Sequence, residues 1–406
     1  MQNKLENMKF IFMMYTSYIL FLFRIVVSNM KLHKRCCKNQ EGKEKMNKKL
    51  GVVLAAAMAV TSMTGCGGSS SSTSTTAADT AAATTAAEAA ADKAAADGSE
   101  AKAPVGDPIE LTFGHGQAEG HPYQQAALYF KDLVEKESGG SITVTVAPNG
   151  TLGDERESVE ALQMGTMDIS VAVAAALSGF DSNMDVFNMP YLFDSREEAF
   201  KVLDGEVGQE LFGNLESQGI KVFGTYDLGF RSMTNSTRPI ETPDDCKGLR
   251  VRTLESSVCV DALGALGMDA VSMSFSELFT ALQTGAVDGQ ENPLFTIYNS
   301  RFYEVQKYLS LTEHFYPVCP LMMSEITWNK LSPEQQDIVA DAMKKSVDYE
   351  RELAGEELDK MLEGCKEKGM EVNEVDKAPF IEAVQPVYEK YNSQFGSLIE
   401  KINAAK

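Results

Sequence analysis

The chain has 406 residues, a formal net charge of −21 and a single tryptophan, Trp328. That length gives room for about two domains of ordinary size. The acidity argues against nucleic acid and anionic membrane surfaces as partners, and the scarcity of aromatics argues against a wide aromatic sugar platform. The charge is uneven, since from Met46 onward 28 basic residues face 55 acidic ones. Net acidity leaves a small anionic ligand open, because local arginines decide its capture.

Residues 10–27 are strongly apolar but broken by Arg24 and followed by Lys31, Lys34, Arg35 and Lys38, near the minimum for a membrane-spanning helix. A second start follows at Met46. Asn47-Lys48-Lys49 forms a basic region, residues 50–60 an apolar one, and Thr64-Gly65-Cys66 a small-residue site ending in cysteine. This resembles a bacterial lipoprotein signal (46–66), in which cleavage before Cys66 leaves the thiol to carry a lipid. Two export signals in series conflict, so Met46 reads as the true start and 1–45 as an upstream extension; the rival is a membrane-spanning N-terminus. Residues 67–107 are Ser, Ala, Thr and Gly with scattered charge, which cannot bury a core and predicts a disordered tether. Lipid plus tether place the folded part on the extracytoplasmic side, anchored to the outer face of the cytoplasmic membrane.

From residue 109 strand and helix signals alternate: strand 109–113, helix 122–137, strand 142–146, helix 154–164, strand 167–173, helical segments across 195–217 and strand 220–226. Strand signals recur at 233–235, 249–252 and 268–272, with a helix over 255–265. This is α/β grammar, with mostly parallel sheets expected. Ser274 and Glu277 stand at capping-box spacing before Leu278, Ala281 and Leu282, an amphipathic stripe that Gly285 ends. The following Ala286–Pro293 segment reads as a short polar loop suited to a fixed binding group. The pattern Ala281-Leu282-Gln283-x-Gly285-x-x-Asp288 repeats Ala161-Leu162-Gln163-x-Gly165-x-x-Asp168, which suggests two related halves with something between them. Ser332-Pro333-x-Gln335 caps a long helix reaching to about residue 363, long enough to lie across both halves.

Chemistry-bearing motifs are sparse. His115 and His121 share one loop without further ligands at metal spacing, and Gly114, Gly116 and Gly120 do not form a dinucleotide fingerprint. Cys246, Cys259, Cys319 and Cys365 fit no zinc spacing and read as small buried hydrophobes. No cofactor is called for, and no nucleophile–base pair supports an enzyme. Arginines are few. Arg250 and Arg252 alternate on one short strand and so face opposite ways, and Arg231 follows the apolar Leu228-Gly229-Phe230. A guanidinium in a partly dry cleft offers a planar fork to a carboxylate. Taken singly, each arginine equally fits a surface ion pair in so acidic a chain.

Lys247-Gly-Leu-Arg-Val-Arg252, Met273-Ser-Phe-Ser-Glu-Leu-Phe-Thr-Ala-Leu-Gln283, Val287-Asp-Gly-Gln-Glu-Asn-Pro293 and Phe302-Tyr-Glu-Val-Gln-Lys307 resemble the solute-binding proteins of TRAP transporters, the C4-dicarboxylate-binding (DctP) type. Pro148-Asn-Gly-x-Leu-Gly-Asp154 and Met189-Pro-Tyr-Leu-Phe193 fit the same family. The resemblance implies two α/β lobes hinged about a cleft, a type II periplasmic-binding-protein-like fold with a long helix spanning both. The lobes are expected at 108–228 plus 318–357 and at 229–317 plus 358–406. It implies that Arg252 binds the ligand carboxylate bidentately, with Arg231 and Asn292 beside it; His115 and Phe275 are added as candidates. Sialic-acid-binding members carry a glutamate where this chain has Val173. The expected role is capture of a C4-dicarboxylate, sugar acid or 2-oxo acid for delivery to the TRAP membrane subunits by a monomeric receptor. The alternative is a sensor that presents its closed form to a kinase.

Overall fold

The computed structural model describes residues 102–406. The expected extension, export signal, Cys66 and the tether up to residue 101 lie outside the described residues. The end of the expected tether, 102–107, belongs to the folded unit instead. Val105 donates its amide to the Ser138 carbonyl (2.9 Å), its carbonyl accepts from Ser141 Oγ (2.5 Å), and Gln335 Nε2 donates to the Asp107 carbonyl (2.8 Å). Gly139, at φ +64°, lets this segment approach, since a Cβ there would lie 2.4 Å from the Lys102 carbonyl oxygen.

The strand signals resolve into two sheets. The first contains β1 (Ile109–His115), β2 (Ile142–Ala147), β3 (Ile169–Val171), β4 (Ile220–Asp227) and β10 (Val318–Ser324), in the order β2-β1-β3-β10-β4. The second contains β5 (Arg231–Asn235), β6 (Arg250–Thr253), β7 (Asp269–Ser272), β8 (Gly289–Pro293), β9 (Tyr308–Phe315) and β11 (Glu371–Glu374), in the order β11-β9-β5-β8-β6-β7. Both are mixed rather than mostly parallel. β10 runs antiparallel to β3 and β4, and β5 runs antiparallel to β8 and β9. The antiparallel pairs arise because the chain crosses directly from β4 to β5 and returns directly from β9 to β10, without a helical crossover.

The main helices are α1 (Pro122–Glu137), α2 (Glu155–Met164), α3 (Arg196–Leu203), α4 (Glu206–Gly213), α5 (Ser257–Ala265), α6 (Phe275–Thr284), α7 (Leu294–Asn299), α8 (Pro333–Glu367) and α9 (Gln385–Ala405). They cover the sheets with apolar faces: Phe130, Val134 and Leu162 lie fully buried near Leu111, Phe113 and Ile169. Each such side chain contributes about 1.5–3 kcal/mol by leaving water. A second cluster gathers Leu278, Leu282, Val287, Ile297, Phe302 and Leu309.

The repeat in the sequence is a repeat in space. α2 and α6 each end on a left-handed glycine, Gly165 (φ 66°) and Gly285 (φ 71°), whose amides return to the preceding turn. Asp168 then accepts the amide of Thr112 in β1, and Asp288 that of Arg250 in β6, both at 2.8 Å. At the other end the copies differ. Asp154 and Glu157 form a full capping box, whereas the Ser274 hydroxyl donates to Glu277 (3.3 Å) and makes no cap bond to the backbone.

Helix α8 has the capping box expected at Ser332 and Gln335, and its 35 residues run about 52 Å at 1.5 Å per residue. It packs on α1 and β4 beside the first sheet and on α7 beside the second. α9 also bridges, which a division placing all of 358–406 with the second lobe does not capture. Tyr391 bonds Asp261 of α5 (2.6 Å), while Lys401 bonds Glu210 of α4 (2.7 Å).

Candidate ligand-binding site

The cleft between the sheets is narrow and partly open to solvent, and Arg231, Arg252, Asn292 and Phe275 all line it. The segment expected to be a polar loop is the strand β8, fully buried between β5 and β6. Its polarity misled because each side chain has a partner inside the fold rather than in water. Alternation along β8 sends Gln290 and Asn292 to one face and Glu291 to the other. Asn292 Nδ2 donates to Gln290 Oε1, and Gln290 Nε2 donates to Thr234 Oγ1 (2.9 Å).

On the opposite face Glu291 is the hub of a buried network. It accepts from Arg231 Nε (2.5 Å), Arg231 Nη2 (3.1 Å) and Thr253 Oγ1 (2.9 Å), with His314 Nε2 at 3.4 Å. Burial alone would raise its pKa, but Arg231 and His314 outweigh burial and hold the carboxyl at about 2. Arg231 is thus fixed and largely neutralised from behind, with no hydrogen bond from Nη1 among the described residues.

Arg252 differs. The alternation on β6 holds: Arg250 is exposed and pairs with Asp269 (3.2 Å), while Arg252 is 2% exposed. Its Nε and Nη2 both donate to the Met273 carbonyl, at 3.0 and 2.7 Å, and its guanidinium lies 6.0 Å from the Phe275 ring. Nη1 is buried without a partner. Among the described residues no carboxylate bonds this cation; loss of water, then the neighbouring Arg231, pull it down to about 10. The Nη1–Nη2 edge of the fork is therefore free for an anion.

His115 does not line the cleft. It sits beneath it, with Nε2 and Gln124 Oε1 2.8 Å apart and its ring edge-on to Phe113 and Tyr123, and burial lowers its basicity. Val173, by contrast, does line the cleft, so an apolar wall stands where sialic-acid binders are expected to have a glutamate. Among the described residues no group of three or more His, Cys, Asp or Glu is placed to hold a metal ion. The four cysteines are buried and free.

Sequence reasoning missed Glu155 and Gln117. Glu155 is the first residue of α2 and lines the cleft. The repeat carried the signal, because Phe275 is the first residue of α6 and the two helix starts flank the same cleft. Gln117 Oε1 accepts from Thr296 of α7 (3.3 Å), joining the two sides, as Ser256 Oγ does on Asp185 (2.7 Å).

Residues 113–394 match the family model described as DctP, bacterial extracellular solute-binding protein, family 7. The chain belongs to the DctP family. It is 33% identical over 275 residues to the 2,3-diketo-L-gulonate-binding periplasmic protein YiaO of Escherichia coli, a match covering 68% of this chain and 84% of YiaO. A TRAP periplasmic solute-binding protein from Polaromonas, solved bound to D-erythronate, aligns with TM-score 0.71 and 37% identity over 73% of this chain and 99% of its own. Another, from Sulfurospirillum deleyianum with bound succinate, aligns with TM-score 0.71 and 30% identity over 74% and 100%. The chain is thus a two-lobe TRAP-type solute-binding protein, and the Glu291 network lies behind the Arg231 side of its cleft.

Proposed function

We propose that this DctP-family protein captures a small organic acid through the free edge of Arg252, with Arg231 Nη1 and Asn292 holding the rest of the ligand, and delivers it to the TRAP membrane subunits. One observation carries the reading: Arg252 is a buried cation with an unpartnered Nη1 facing a cleft. An unpaired buried donor costs about 1–3 kcal/mol, which a ligand carboxylate recovers. The three relatives above are named for different acids, and a carboxylate is what those acids share. The protein performs no chemistry on its ligand; closure of the lobes around it is the functional event. Lipid on Cys66 and the tether keep the receptor, as a monomer, at the outer face of the cytoplasmic membrane.

The test is thermal unfolding against small organic acids, each paired with its amide or alcohol. An acid at about 100 times its dissociation constant adds about 2.7 kcal/mol, and its neutral counterpart adds nothing. Equal shifts from acid and amide defeat the carboxylate clamp. Anchoring is read separately, by loss of the protein from the membrane fraction in Cys66→Ala.

A further inference from the structure

Of the six charged groups around the cleft, three are already matched. Arg231 is paired with Glu291 behind it, Arg156 is paired with Glu160 (3.3 Å) with its side chain half exposed, and Asp154 caps α2 on the Glu157 amide. Glu255 lies exposed at the mouth. Two unmatched charges remain inside, the Arg252 cation and the Glu155 carboxylate, on opposite lobes. Among the described residues Glu155 makes no hydrogen bond to another side chain, and the neutral polar side chains around the same space are Asn292, Gln117 and Ser274. A ligand carboxylate on Arg252 takes the one cleft cation that no carboxylate pairs among the described residues. A second carboxylate would have to share Arg231, whose charge Glu291 already neutralises, and would face Glu155, whereas hydroxyl groups would find acceptors in Glu155, Asn292 and Gln117.

Resting on the carboxylate-capture reading, we infer that Glu155 makes the cleft selective for a monocarboxylate bearing hydroxyl groups and sets it against acids with a second ionised carboxylate. Loss of water pushes the Glu155 carboxyl up to about 7, against the opposing pull of Arg231, Arg252 and the Val173 backbone. Hydroxyl donation favours the ionised form, while a second carboxylate needs Glu155 protonated. The two ligand classes therefore depend on pH in opposite directions. The charges facing Glu155 are Asp154 and Arg156 on its own helix, Arg231 on β5, Arg252 on β6, and Glu255 just beyond β6. No histidine is among the residues lining this cleft.

The experiment is titration calorimetry of the full chain in mild detergent at pH 6 and pH 8, with two pairs that differ only by a terminal carboxylate: D-erythronate with meso-tartrate, and D-gluconate with D-glucarate. The expected result is a preference for the monoacid of at least one pair by about tenfold or more at pH 8, the size of one charge-assisted hydrogen bond, shrinking at pH 6. Glu155→Gln removes most of that preference and its pH dependence, while Glu155→Asp keeps the discrimination; unfolding of the unliganded variants checks that they fold. A monoacid-to-diacid ratio unchanged in Glu155→Gln, or a diacid preferred by the parent at pH 8, overturns the role of Glu155 and leaves carboxylate capture standing. Equal binding of these acids and their amides overturns carboxylate capture, and this inference with it.

Discussion

Removing the Arg252 charge distinguishes a binding group from a structural one, because the two roles give opposite signs. In the unliganded cleft the cation is held at about 10 by loss of water and by Arg231. At about 1.36 kcal/mol per pH unit, that depression represents about 3 kcal/mol acting against the folded, ionised form. Arg252→Gln removes the charge and can keep one donor for the Met273 carbonyl. It forfeits the second bond to Met273, about 1 kcal/mol, and part of the contact with Phe275, of similar size. The unliganded variant should therefore be more stable than the parent by about 1 kcal/mol, a rise of roughly 2 °C in unfolding midpoint. It should also lose the stabilisation that a bound acid gives the parent. Calorimetric scans of both proteins, with and without the acid, read both effects. A fall of several degrees in the unliganded variant refutes the reasoning, since that is how an arginine behaves when its charge supports the fold.

Four further outcomes follow from the same geometry. Arg252→Lys keeps the charge but loses the fork, so affinity for a carboxylate should fall by about 10- to 100-fold in titration calorimetry. Glu291→Gln leaves Arg231 buried without its counter-charge and should cost about 3–5 kcal/mol in denaturant unfolding. Because its folded pKa is depressed, the stability that Glu291 contributes is present above about pH 4.3 and lost as pH falls toward 2, so the variant's deficit should shrink in acid. Glu350 behaves oppositely: burial and then Asp227 hold its carboxyl well above the usual range, so the folded state keeps a proton that the unfolded state releases above about pH 4.3. Stability should fall as pH rises from there, and Glu350→Gln should flatten that fall between pH 5 and 8.

How much was legible depended on whether a residue's partners were near in sequence. The caps at Asp154 and Ser332, the glycine stops at 165 and 285 and the opposite facing of Arg250 and Arg252 are local, and each could be read from spacing. β8 could not, because Gly-Gln-Glu-Asn-Pro reads as a turn until Arg231, Thr234 and His314 supply partners from β5 and β9. β10 was hidden by Pro320, which lacks an amide donor and sits at an irregularity between β10 and β4. His115 was read as a loop residue beside His121, yet it ends β1 and turns into the packing with Tyr123. Glu155 was masked by its own context, since an acidic residue beside an N-cap is ordinary helix chemistry. Only matching its position to that of Phe275 in the second copy marks it as a cleft residue.

The same uncompensated charge bears on when the lobes close. Gln117 to Thr296 and Ser256 to Asp185 are bonds made only when the two sides meet, each worth about 1 kcal/mol. Against them stands the water that the first lobe strips from Arg252 when no anion is present, a share of the roughly 3 kcal/mol by which the folded cleft disfavours this cation, since Arg231 lies in the same sheet and opposes Arg252 whether the lobes are open or closed. These terms nearly cancel, so the empty receptor should populate both arrangements instead of resting in one. A carboxylate about 4 Å from the guanidinium adds about 4 kcal/mol at an effective dielectric of 20, and the part of it gained only in the closed cleft shifts the balance toward closure. Small-angle scattering should then show the unliganded protein as an average of open and closed forms that contracts when the acid is added. In Arg252→Gln, which removes the opposing charge, the unliganded protein should already scatter as the closed form. If it scatters as the open form, the charge is not what holds the empty lobes apart.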